Sequence, residues 1–366
     1  MNHRQPVTIA VLLITAVLAT ASLRAGTTDP EVIAGIKTIR LIVSQDYGKA
    51  KKVDLPFAPL ARAFIKAGGF DVIDGTAQPT DALLEIAVRG EAISAMYLGA
   101  GTRYAGARLK GNVTLSAGKD MVYSWPFISE IKPNTQISGA RYKTPDDAPF
   151  EAAFDKSGFH KALPDLLWDV FGSSRRETII NGFIASLKSS DVYVVSGSCH
   201  ALGRAGDRRA GESLLQTALE HRNFGCRDEA AKALKQLDVG WARDILLKEL
   251  KSIDPYRRMC VIDALDTLRD PAALPALIDR LLHDPDHASV RQVAARALGN
   301  LGDAAAVEAL VEALLYEQNG LVRMVAAESL GKIGDRRARE ALVKASTDDS
   351  DVWVRKAAEE ALKKIG

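Results

Sequence analysis

Six leucines, Leu202, Leu234, Leu265, Leu298, Leu330 and Leu362, recur 31 to 33 residues apart in a chain of 366, each in the same company. An arginine stands seven residues before each of the last five: Arg227, Arg258, Arg291, Arg323 and Arg355. Eleven residues before each of the six lies a helix-capping type or a histidine: Asp191, Asn223, Asp254, His287, Asn319 and Asp351. A fixed period of this size restricts the second half of the chain to a solenoid of stacked units. A single unit cannot bury both sides of its apolar stripe, so each depends on its neighbours. Surfaces of this kind usually serve partners and seldom enclose chemistry.

Each unit reads as two antiparallel helices. In the last copy Asp351 caps the exposed amides of a helix on which Val354, Ala358, Ala361, Leu362 and Ile365 form one apolar stripe. Glycine follows the key leucine by four residues in Gly206, Gly302, Gly334 and Gly366, the place of a left-handed helix end. Asp207, Asp270, Asp303 and Asp335 then stand ready to cap the next helix, which reads Ala338, Leu342, Val343 in one copy and Ala306, Leu310, Val311 in another. Alanine at Ala294 and Ala326 lets neighbouring units approach closely. Lys356, Glu359, Glu360, Lys363 and Lys364 give the last helix a polar outer face.

The run Val-Arg-x-x-Ala-Ala-x-x-Leu-Gly-x-Ile/Leu-Gly-Asp, seen as Val290–Asp303 and Val322–Asp335, resembles the HEAT-like repeats of the phycobilisome-lyase type. The resemblance covers the carboxy-terminal half and implies an all-α solenoid of about six helical hairpins over residues 173–366. It implies no single function, because unrelated jobs share the repeat. The second and third copies depart from the pattern, with Glu229 at an apolar position and no terminal glycine. For the arginine column the expectation is that each guanidinium pairs with a capping aspartate of its own or the adjacent repeat, and does not form an anion-binding ladder.

Charge excludes some partners. Residues 26–172 hold 17 basic and 17 acidic side chains and residues 173–366 hold 29 of each; the excess is Arg4 and Arg24. No basic domain is present to leave the electrostatic footprint of a nucleic-acid binder. At the amino terminus Arg4 precedes the apolar run Val7–Leu18 and the small-x-small triplet Ala19-Thr20-Ala21, which reads as a cleavable export signal over residues 1–25. The expected location is a bacterial periplasm, with anchoring by an uncleaved segment as the alternative. The mature form is expected to have no membrane span. Cys199, Cys226 and Cys260 occupy core slots of the repeats, Cys226 aligning with Val194, Val290, Val322 and Val354. On stacked helices Cys199 and Cys226 fall outside the roughly 7 Å Cα limit for bridging, so buried free thiols are expected.

Residues 26–172 follow a different rhythm and read as a two-layer α/β domain. Thr38–Val43 and Phe70–Ile73 are strand-like, with a helix over Pro56–Ala67 stopped by Gly68-Gly69. Leu84, Ile86 and Val88, then Leu109, Val113 and Leu115, alternate with polar residues on either side of a turn at Gly99–Thr102, giving a long hairpin with one polar face. Met121–Phe127 adds a strand. Phe150, Phe154, Leu163, Leu166, Leu167 and Phe171 suggest helical packing, interrupted near Gly158 and Pro164, with Gly172-Ser173-Ser174 as the junction. The strand–helix–strand–hairpin order behind an export signal resembles small α/β domains of bacterial envelope assembly proteins, such as the amino-terminal domain of the Tol-Pal propeller protein. That pattern carries no binding residue across.

Catalytic chemistry is scarce. Gly99-Ala100-Gly101 joins two strands and opens no helix, so it makes no phosphate loop. Cys199 and His200 sit about 100° apart on a helix and cannot act as nucleophile and base. His283, Asp284, Asp286 and His287 are candidate metal ligands within five residues, set against an ordinary inter-helix loop. HEAT-like repeats also build deoxyhypusine hydroxylase, whose di-iron site uses His-Glu dipeptides, and this chain has none. No chromophore-gripping motif supports a bilin lyase. No catalytic residue and no cofactor is assigned.

Second helices of such solenoids commonly line the concave surface. One row of their outward positions is Ser196, Asp228, Met259, Gln292, Met324 and Lys356; the next is His200, Lys232, Asp263, Arg296, Glu328 and Glu360. Mixed charge around two methionines suits a protein or peptide. The expected protein is therefore a non-enzymatic exported scaffold. It binds a protein partner, expected in the envelope, through Met259, Asp263, Gln292, Arg296, Met324 and Glu328. The competing class is a metal-dependent or lyase-type enzyme.

Overall fold

The computed structural model describes residues 29–48, 53–74, 79–98, 101–132, 148–238, 240–285 and 287–366. The expected export signal and Gly99 and Ala100 of the expected turn lie outside them. The chain divides into two compact units, Met1–Ala201 and Leu202–Gly366.

In the first unit a short helix α1 (Pro30–Gly35) leads into β1 (Thr38–Asp46), α2 (Phe57–Ala67), β2 (Asp71–Ile73), β3 (Ala82–Leu98), β4 (Gly101–Ala117) and β5 (Asp120–Ile131). The strands form one mixed sheet in the order β2-β1-β3-β4-β5, with β1 parallel to both β2 and β3 and the others antiparallel. Leu84 pairs with Leu115 and Ile86 with Val113, so the alternating apolar residues share one buried face. Helices α3 (Ala148–Ser157) and α4 (Phe159–Ser186) complete the core. There Phe57 meets Phe154 and Phe159 edge-on at 4.9 and 4.8 Å between ring centres. This is the α+β architecture expected from the period change.

The helix α4 departs from expectation in two places. Gly158, in the left-handed region, separates α3 from α4, whereas Pro164 lies inside α4 without ending it. The expected junction at Gly172–Ser174 is also helical, and only Arg175 leaves helical dihedrals. The guanidinium of Arg175 is held by the carbonyl oxygens of Ile36 at 2.5 Å and Gly69 at 3.4 Å, over the ring of Phe70. The compact units part later, between Ala201 and Leu202, within α5 (Val192–Ala205).

The second unit is built of five helical hairpins, preceded by the pair formed by the end of α4 and α5. They are α6 (Gly211–Glu220) with α7 (Phe224–Leu237), α8 (Gly240–Glu249) with α9 (Pro255–Leu268), α10 (Leu274–His283) with α11 (Ala288–Leu301), α12 (Val307–Tyr316) with α13 (Gly320–Ile333), and α14 (Arg339–Asp348) with α15 (Val352–Ile365). Asn223, Asp254, Asn319 and Asp351 accept hydrogen bonds from amides of the second helices, while His287 caps without its side chain. Asp207, Asp270, Asp303 and Asp335 cap a single 3-10 turn that precedes the first helix. Gly206, Gly302 and Gly334 adopt left-handed conformations, and Asp238 and Arg269 take that role where glycine is lacking.

Second helices stack closely. A Cβ on Gly299 would lie 2.8 Å from the Ser329 Cα, and one on Gly331 would lie 2.8 Å from the Ala361 Cα. Glycine after the key leucine is therefore a packing requirement here. The key leucines Leu298 and Leu330 are wholly buried, as are Ala294 and Ala326. All three cysteines are free and buried. Among the described residues no helix is long and apolar enough to cross a membrane.

Candidate functional site

The second-helix rows are knitted together more than they are displayed. Met259, Gln292 and Met324 are half-buried, and only Glu328 of the six expected contact residues is exposed. Arg296 donates to Asp263 at 2.6 Å in the preceding repeat and lies 3.6 Å from Asp266. Asn300 donates to both oxygens of Asp266, and Lys332 donates to Asn300 at 2.9 Å. Thr267 reaches Asp228 at 3.0 Å. Burial pushes the Asp263 carboxyl up, against the pull of Arg296 and Arg227. This polar chain runs from repeat to repeat, so Asp263 and Arg296 spend their charge inside the molecule.

The candidate metal loop is likewise committed elsewhere. The Asp284 carboxylate is fully buried and receives Arg258 Nε and NH2, each at 2.8 Å. His283 is exposed and sits 3.2 Å from Asp279 on its own helix. His287 starts the next helix, and Asp286 lies outside the described residues. Among the described residues no three or more of His, Cys, Asp and Glu are grouped to hold a metal ion. Cys199 is buried, and the neighbouring His200 is 3.2 Å from Asp165.

The arginine column has a role that its register alone does not disclose. Arg258, Arg291 and Arg323 each present Nε and NH2 to a carboxylate in the next repeat: Asp284, Glu317 and Asp349. Each also donates through NH1 to a carbonyl of the loop before its own helix, at Ser252 and Ile253, at Asp284, and at Glu317 and Gln318. One guanidinium thus ties two successive inter-helix loops together. The expected partner was a helix-capping aspartate; the observed one stands two or three residues earlier, at the end of the first helix. The reason is that the cap side chains are already spent on helix amides. Arg323 holds the Asp349 carboxyl below the usual range; for Glu317, burial pushes up but Arg291 and two amides outweigh it.

Exposed apolar side chains concentrate along this same edge. Phe224, Ile253, Tyr256, Tyr316, Leu321, Val352 and Trp353 all lie in or beside the inter-helix loops, with Ile253 at 94%, Tyr316 at 75% and Trp353 at 62% exposure. The row is interrupted at the fourth repeat by the His283–His287 loop. Lys356 Nζ lies 5.0 Å from the Trp353 ring. A second candidate surface is a cleft of about 730 Å³ lined by Leu215, Leu219, Trp241 and Ile245 together with Arg208, Glu212, Glu220 and Arg257, of which Trp241 and Ile245 are exposed apolar side chains. Among the described residues no 3-10 turn precedes α8, whereas one precedes each of α6, α10, α12 and α14. The edge escaped the sequence reading. Its signal was bulky apolar residues within three positions of a cap on either side, where polar residues are ordinary.

A profile of HEAT repeats matches residues 212–289 and 286–363. Human deoxyhypusine hydroxylase in complex with glycerol is 23% identical over 61% of this chain and 91% of that one, with a TM-score of 0.31. The CpcE–CpcF complex of phycocyanin lyase from Nostoc is 21% identical over 64% and 100%, with a TM-score of 0.30. Computationally designed armadillo repeat proteins for modular peptide recognition are 16% identical over 61% and 96%, with a TM-score of 0.32. Likenesses of this degree assign no activity. No curated protein matches the chain.

Proposed function

Taking residues 212–363 as HEAT repeats, we propose that this protein is an exported, non-catalytic scaffold that binds a protein partner along the inter-helix edge of its repeats. The observation that carries the reading is the row of seven large apolar side chains in or beside those loops. It stands over a repeat interior whose arginines are largely matched with carboxylates. Large apolar side chains gathered on one edge and left exposed favour an interaction site, and aromatic residues dominate the energetics of such sites. Export rests on Arg4, the apolar run Val7–Leu18 and the Ala19-Thr20-Ala21 triplet.

The edge replaces the second-helix rows as the favoured contact because Asp263 and Arg296 are bonded to each other and the methionines are half-buried. Crosslinking in the native envelope tests the choice. Tyr316→Ser with Trp353→Ser should abolish recovery of the crosslinked partner at unchanged helicity, whereas Met324→Glu with Arg296→Glu should not. The opposite pattern returns the site to the second helices. Recovery unaffected by either pair removes the scaffold reading for the repeats.

A further inference from the structure

The loop-tying arrangement changes at one internal step. The residue two before the helix cap accepts the cap amide in each of several repeats: Glu317 from Asn319, Asp349 from Asp351, and Ser252 from Asp254. The same three residues offer their carbonyls to the following arginine: Glu317 to Arg323, Asp349 to Arg355, Ser252 to Arg258. Ser252 is therefore the equivalent of Glu317 and Asp349, yet it carries no carboxylate. The arginine one repeat earlier is Arg227, which by the pattern of Arg291 and Arg323 should meet an acid there.

Arg227 is only 9% exposed, and among the described residues its Nε is buried without a hydrogen-bond partner. NH1 keeps its loop contacts, donating to the carbonyls of His221 at 3.0 Å and Arg222 at 3.4 Å, and to the Tyr256 hydroxyl at 3.1 Å. NH2 forms an ion pair with the Asp263 carboxylate at 3.7 Å, a separation beyond hydrogen-bond range. The guanidinium carbon lies over the rings of Phe224 and Tyr256, 5.5 and 5.7 Å from their centres. Both rings are about half exposed, and Ile253 beside them is almost fully so. A buried N–H of a charged group without an acceptor is costly, even where the rest of the group is paired, and its satisfaction by an arriving acceptor is correspondingly favourable.

We propose that Arg227, Phe224, Ile253 and Tyr256 form a receptor for an aspartate or glutamate side chain of the partner protein, presented beside an apolar residue. The carboxylate binds the Nε–NH2 edge as Asp284 binds Arg258, and the apolar neighbour packs on Phe224, Ile253 and Tyr256. Reaching that edge requires the two rings to part. Planar bidentate recognition gives the site its preference for a carboxylate, and aromatic rings beside an arginine are typical of dominant interface residues. The proposal rests on the scaffold reading above and names one contact within it.

The test uses Ser252→Asp, which supplies the carboxylate from within the chain. It should raise the unfolding midpoint and, by occupying the arginine, block the site. The binding probe is a phage-displayed library of random peptides panned on the full chain. Wild type should enrich peptides pairing Asp or Glu with a bulky apolar residue. Their affinity should fall at least about tenfold in Ser252→Asp and in Arg227→Met, and stay unchanged in Trp353→Ser. Because Ser252→Asp is expected to be the more stable protein, lost binding there cannot be misfolding. An unchanged or lowered midpoint in Ser252→Asp overturns the proposal. So do enriched peptides that lack acids, or a library that yields no binder. A dimer in sedimentation that Ser252→Asp dissolves overturns the assignment to a different protein. Peptides that bind wild type and Ser252→Asp alike overturn this contact and leave the scaffold reading standing; that reading is decided by the crosslinking pattern.

Discussion

Asp284→Asn should be among the most damaging single substitutions of a polar side chain in the repeats. The Arg258 and Asp284 side chains are 4% and 0% exposed, and two bonds of 2.8 Å join them. Breaking a buried pair from one side costs about 3–5 kcal/mol, because the remaining charge stays in a poorly solvating place. Asparagine keeps one oxygen acceptor, so a loss near the lower limit, about 3 kcal/mol, is expected. Arg280, 3.5 Å from Asp284, softens nothing, since it can fall back on Asp279. The comparison is Asp207→Asn, whose partner Arg209 is half exposed; asparagine keeps the oxygen that caps the turn, so loss of this solvent-screened pair should cost no more than about 1 kcal/mol. Replacing both partners by Arg258→Met and Asp284→Leu should recover part of the loss but not all. Arg258 also serves the carbonyls of Ser252 and Ile253, and those acceptors would be left behind. Urea unfolding followed by far-ultraviolet dichroism reads the total. Hydrogen exchange at α9, α10 and α11 locates it, which matters because repeat arrays need not unfold in one step. A loss below about 1 kcal/mol for Asp284→Asn, or a double variant no better than the single, would refute the idea that these arginines bind the loops together.

Leu298→Ala, in a wholly buried position, should cost about 2–5 kcal/mol by the same unfolding measurement. Gly331→Val should cost about 1–3 kcal/mol or more, since even its Cβ would lie 2.8 Å from the Ala361 Cα; a neutral result would mean that α13 and α15 can part without penalty. Arg269→Gly should stabilise by roughly 1 kcal/mol, because Arg269 holds a left-handed conformation at φ 52° that glycine adopts without strain. Asp349 has its folded pKa depressed by Arg323. Its stabilisation is therefore present above the ordinary carboxylate pKa and lost as pH falls through the lower folded value. Stability measured against pH should decline in that acid window, and Asp349→Asn should flatten the decline.

The leucine period was enough to place the hairpins, because a helix pair that must stack on its neighbours repeats its buried positions with little freedom. Gly302 and Gly334 marked helix ends correctly for the same reason: the left-handed turn there tolerates few residues. Alternation at Leu84–Val88 and Leu109–Leu115 likewise announced a paired hairpin with one buried face. Residues that act between repeats were harder to read. The arginines kept perfect register with the core, which identified them as structural, and their partners Asp284, Glu317 and Asp349 each follow by 26 residues, but the cap residues keep a fixed register with the same leucines. A register argument therefore pointed to the cap residues instead. Arg296 and Asp263 were misplaced as surface contacts because a helical wheel gives direction only. It cannot tell that the adjacent helix supplies a partner at 2.6 Å.

The same difference explains where recognition is best sought. Within a solenoid, side chains on the second helices find partners one repeat away, so even charged positions there become internal. The inter-helix loops have neighbours on one side only, and whatever they carry outward must be met by water or another molecule. At the Glu317 and Asp349 steps the loop spends its carboxylate on the arginine before it and shows apolar residues to solvent, and at the Asp284 step it does the first alone. At the Ser252 step the polar side chain is too short and uncharged, and Arg227 is left with a buried donor beside two half-exposed rings. A repeat under no constraint but packing would gain stability from an acid at position 252, an ordinary single substitution. That the sequence holds serine there, beside an isoleucine exposed to solvent, is the local inconsistency that a bound carboxylate resolves.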